Sequence, residues 1–143
     1  MAVENEKVQE LLRQGQIVNV YSEGKTIGEI IGNLRDLIIP PIDGNSGDDF
    51  EIITKAIVWN ENDYDYQREI KKYLVDGNML ILYQQGKMPE IEKQVEFIRS
   101  IRSLQESADF EKRNNGSKII IISNEKVQFG YQELMRVASV DIG

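Results

Sequence analysis

Two unbroken apolar runs, MLILY at Met79–Tyr83 and IIII at Ile119–Ile122, constrain this chain more than any other feature. A strand with one wet face alternates apolar and polar residues, so a strand without alternation must be covered on both sides. Helices laid above and below a sheet give that cover. The rest of the chain supplies them. Ile27, Ile30, Ile31, Leu34 and Leu37 recur at three-and-four spacing, as do Ile91, Val95, Ile98, Ile101 and Leu104. Both sets predict amphipathic helices.

Read in order, Val3–Arg13 predicts a short helix ending near Gly15, and Gln16–Tyr21 a first strand. A helix opening at Thr26 follows. Thr26 and Glu29 fit a capping box, in which each side chain satisfies a free backbone N–H of the first turn. Pro40 and Pro41 end that helix, and Asp43–Asp49 is a polar loop. Ile53–Trp59 predicts the second strand. Tyr66, Ile70, Tyr73 and Leu74 share one helical face, closed by Asp76-Gly77-Asn78, and Met79–Tyr83 is the third strand. Pro89 opens a long helix reaching about Ser107, because proline suits a first helical position. Asn114-Asn115-Gly116 predicts a turn, Lys118–Ser123 the fourth strand, Tyr131–Arg136 a short helix and Val137–Ile142 the fifth strand. Alternation of this kind predicts an α/β domain over residues 1–143, three-layered and doubly wound around a five-stranded, mainly parallel sheet. Ligands of such folds sit at the C-terminal edge of the sheet, so the residues following each strand are the ones that matter.

Composition narrows the chemistry. The 143 residues contain no Cys and no His, which excludes thiolate and imidazole chemistry. A net charge of −7 argues against tracking nucleic-acid phosphates or anchoring to an anionic membrane. The N-terminus lacks an apolar signal core. Runs such as MLILY fall far short of the about 18 residues a membrane-crossing helix needs. A cytoplasmic location is the default expectation.

The strand ends hold few reactive groups. Gly24, Lys25 and Thr26 follow the first strand, like the tail of a phosphate-binding loop, in which N–H groups wrap phosphate, Lys neutralises it and Thr ligates magnesium. The first Gly of the GxxxxGK[ST] pattern is replaced by Asn19, inside the predicted strand. The capping box accounts for Thr26 without a ligand, and that reading is preferred. Gln84 and Gln85 follow the third strand, where a nucleotide hydrolase needs an acid. Asn124 follows the fourth; it can orient a water near a γ-phosphate or simply begin a turn. Trp59 reads as an anchor at a sheet edge, and Arg99 and Arg102 as solvated charges or contacts to a neighbouring subunit.

These features together resemble a core domain of the AAA family that has lost catalysis, such as the inactive first module of plastid and cyanobacterial AAA ATPases. QIVNVYSEGKTIGEII, KAIVWNEND, MLILYQQGKMPEIEKQVEFIRSIRSLQ and SKIIIISNEKVQFGYQELMRVASVDIG carry the likeness, over roughly Val8–Gly143. The resemblance implies a P-loop-like fold without the helical lid, with Gly24, Lys25 and Thr26 in the phosphate-loop place and Asn124 in the sensor place. Gln84, Gln85 and Asn19 depart from the pattern. The implied function is a non-catalytic AAA-like module acting through a protein partner or self-assembly, or regulating an ATPase assembly. It is not an enzyme on this reading and has no obligate cofactor. The alternatives are a residual ATP or ADP binder on those four residues, or a periplasmic interaction domain of the ExbD/TolR kind. The closing IIIISNEKVQFGYQELMRVASVDIG resembles the strand–helix–strand of the latter, whereas a starting Met and no preceding membrane helix weigh against it. The chain is expected to be either complete or the N-terminal part of a longer protein.

Overall fold

The structure is a computed structural model and describes residues 2–34, 52–60, 62–112, 118–129 and 136–143. Helix α1 (Ala2–Arg13) leads into β1 (Ile17–Tyr21). Residues 27–34 are helical and belong to α2. Then come β2 (Ile52–Ala56), α3 (Tyr64–Val75), β3 (Met79–Tyr83), α4 (Ile91–Lys112), β4 (Ile119–Ser123) and β5 (Val137–Asp141). The predicted helix at Tyr131–Arg136, Pro40 and Pro41, the acidic loop and the Asn114 turn lie wholly or mostly outside the described residues.

The five strands form one sheet in the order β2-β3-β4-β1-β5, and every adjacent pair is parallel. The order decides which face each connection covers. The step from β1 to β2 runs one way along the sheet, and the other three strand-to-strand steps run the opposite way. Crossovers of one hand must then place α2 on one face and α3, α4 and the segment after β4 on the other. The packing follows this rule. Tyr66, Ile70 and Leu74 of α3, Phe97, Ile98 and Ile101 of α4, and Val127 and Phe129 cluster with Ile17, Leu80, Leu82, Ile119 and Ile121. Val8 and Leu12 of α1 and Ile30 and Leu34 of α2 cluster with Val18, Val20, Ile81, Ile120 and Ile122. Successive strand residues alternate between the two clusters, as the two-residue period of a strand requires. The four isoleucines of β4 are fully buried because two go to each side.

Local signals act as read. Asp63 caps α3, accepting from the Tyr66 N–H at 3.0 Å. Gly77, with φ of +88°, turns the chain out of the same helix, a conformation a side chain would oppose. Two expectations need correction. Strand β2 runs Ile52–Ala56 rather than Ile53–Trp59; beyond Ala56 only the Ile57 N–H continues the ladder, to the Tyr83 carbonyl at 2.8 Å. Helix α4 extends past Ser107 to Lys112, because Ala108 is buried and keeps the next turn on the sheet. None of the helices among the described residues is long and apolar enough to cross a membrane.

Candidate functional site

Strands β1 and β4 are neighbours, and their outgoing connections leave to opposite faces. A crevice at the C-terminal ends of such a pair is where ligands bind in open α/β sheets. The structure brings all four sequence-derived candidates to this place: Gly24, Lys25 and Thr26 after β1, and Asn124 after β4.

The crevice is laced by hydrogen bonds of the chain itself. Asn124 Nδ2 donates to the main-chain carbonyls of Lys25 at 2.7 Å and Ser22 at 3.1 Å. The Asn124 N–H donates to Gln84 Oε1 at 3.0 Å, and Gln84 Nε2 donates to the Gly86 carbonyl at 2.7 Å. The ladder also runs on past the strand ends. The N–H groups of Gln84, Ser22 and Ile142 donate to the carbonyls of Ile122, Ser123 and Tyr21 at 2.8, 3.2 and 3.0 Å. The Gln84 amide therefore joins the chain after β3 to the chain after β4 through its oxygen, and holds the turn at Gly86 through its nitrogen.

A phosphate loop works through unengaged backbone N–H groups that point inward. In this loop, the Gly24 N–H donates to Ser22 Oγ at 3.3 Å. The Thr26 N–H donates to Glu29 Oε1 at 3.3 Å, and the Glu29 N–H donates to Thr26 Oγ1 at 3.1 Å. The capping box is thus formed as the sequence predicts. It also places a carboxylate at the positive end of α2, where a phosphate would otherwise be stabilised. Gly143, beyond β5, closes the other side: a Cβ there would collide with Ser22 Oγ and come within 3.2 Å of Lys25 Nζ.

Asn19 has a structural role of its own. It is fully buried in β1, on the face toward α3 and α4. Its Nδ2 donates to the Ile121 carbonyl and to Ser123 Oγ, both at 3.0 Å. Its Oδ1 accepts from the Val127 N–H at 2.9 Å and from Ser139 Oγ at 3.4 Å. One amide thus joins β1 to β4, to β5 and to the segment following β4. Burial of an amide is costly unless it is hydrogen-bonded, and this one uses both donors and its acceptor.

A second polar cluster escaped the sequence analysis. Lys55 on the edge strand β2 pairs with Glu69 of α3, and Glu69 also accepts from the Tyr73 hydroxyl at 3.0 Å. Lys55 Nζ lies 6.0 Å from the ring centre of Tyr66 and 5.7 Å from that of Tyr73. The Lys55 and Tyr73 hydrogen bonds hold the Glu69 carboxyl below its usual range. The same bond to Glu69 raises the Tyr73 hydroxyl. Burial, above all, raises Tyr66, whose hydroxyl donates to the Ala56 carbonyl at 3.0 Å. The available signal was the spacing of Glu69 and Tyr73, one helical turn apart, beside a Lys between Ile53 of β2 and Ile57 just beyond it, both packed on the core. A lysine on an edge strand also discourages pairing with another sheet. Arg102 needs a correction: its side chain is 13% exposed and bonded to Glu106, and with Gln105 it donates to the Gly15 carbonyl at the end of α1. Trp59 is half-buried, its ring edge-on to Phe97 at 5.0 Å. Among the described residues, no group of three or more acids is placed to hold a metal.

No protein-family model and no curated protein matches the sequence. Among solved structures, that of C. elegans PCH-2, an AAA+ ATPase, is similar at 13% identity and a TM-score of 0.48. The similarity covers 97% of this chain and 41% of that one, so the chain spans about two fifths of that protein's length.

Proposed function

We propose that this chain is a non-catalytic AAA-like module that acts through protein contacts, within or upon an ATPase assembly. One observation carries the reading: the crevice between β1 and β4 is closed by the Asn124 amide on the carbonyls of Ser22 and Lys25. The groups a nucleotide would recruit are engaged with one another. Gly24 and Thr26 donate within the loop, Gln84 replaces the acid that would hold magnesium, and Glu29 occupies the helix terminus. The sequence resemblance supplies the family, and the loop geometry supports the loss of turnover.

The test is hydrolysis and binding on the purified chain. The expected result is no magnesium-dependent ATP turnover, and no heat or thermal shift with millimolar ATP or ADP. Binding at a hundred times the dissociation constant would stabilise the fold by about 2.7 kcal/mol, which a melting curve resolves. Turnover that disappears in Lys25→Ala would overturn the proposal. Binding without turnover would favour the second reading, a residual nucleotide site. That reading is kept because Lys25 and Gly24 stand at the mouth of the crevice, with Gly24 exposed.

A further inference from the structure

We draw no further inference here: the strongest candidate, the open recess of about 380 Å³ between α3 and α4, carries nothing, because its two charged residues, Glu96 and Arg99, are of opposite sign on one exposed helix face and nothing in the structure shows what covers it.

Discussion

The side-chain amide of Asn124 donates to the main-chain carbonyl of Lys25 at 2.7 Å, across 99 residues of chain. The bond ties the end of β4 to the loop that leaves β1, and with the Ser22 contact it uses both amide protons. The Asn124 side chain is therefore turned onto the protein's own backbone.

Loss of this tie should be visible as stability. Asn124→Ala removes two part-buried hydrogen bonds and should cost about 1–3 kcal/mol in urea unfolding. Asn124→Asp should cost at least as much, because an ionised carboxylate cannot donate to a carbonyl. A neutral result for both would mean that the crevice is not held by this residue.

Asn19 should matter more. Asn19→Gly introduces the glycine that a phosphate loop would have at this position, yet it removes the partners of buried groups in β4, β5 and the following segment. The expected cost is about 3 kcal/mol or more, with no nucleotide binding gained. A variant that keeps its stability and acquires an ATP-dependent thermal shift would reverse the account of this site.

Thr26 and Lys25 separate capping from phosphate handling. Thr26→Ala should lose about 1 kcal/mol through the N-cap. Lys25→Ala should change stability by no more than about 0.5 kcal/mol, because the half-buried Lys25 side chain lies outside the buried hydrogen-bond network. A larger effect at Lys25, appearing only when nucleotide is present, would restore the ligand role.

The Lys55–Glu69 pair sets a pH dependence. The Glu69 pKa is lowered in the folded state, chiefly by the Lys55 hydrogen bond. Its contribution is therefore present above the unfolded carboxyl value of about 4.3 and lost as pH falls through the folded value. Denaturation midpoints should fall on acidification from about pH 5 downward, and Glu69→Gln should flatten that limb. The change is expected to be small, because the Glu69 side chain is 43% exposed and solvent screens the pair. An identical acid limb in the variant would exclude Glu69 as its source.

Much of the architecture is legible in the residue order. MLILY and IIII specify strands covered on both faces, Thr26 and Glu29 specify a helix start, and Tyr66, Ile70 and Leu74 specify the buried face of α3. The strand placed at Ile53–Trp59 came out displaced, because apolar residues past Ala56 also pack on the core as irregular backbone. Arg102 looked like a surface charge, since nothing in its neighbourhood of sequence reveals the Gly15 carbonyl 87 residues away. The Lys55 cluster was missed for the same reason: its members are ordinary until the β2–α3 packing brings them together.

The sequence by itself determined the periodicities, the caps, the absence of Cys and His, and the adjacency of Gly24, Lys25 and Thr26, all of them properties of neighbours along the chain. Only the tertiary structure decided that β1 lies between β4 and β5, and so that Asn19 bonds to both of those strands, Gln84 meets Asn124, and Asn124 engages the carbonyls of the β1 loop. The physical reason is that a hydrogen bond depends on distance and direction in space. Residues about a hundred positions apart acquire both only when the sheet sets its strand order.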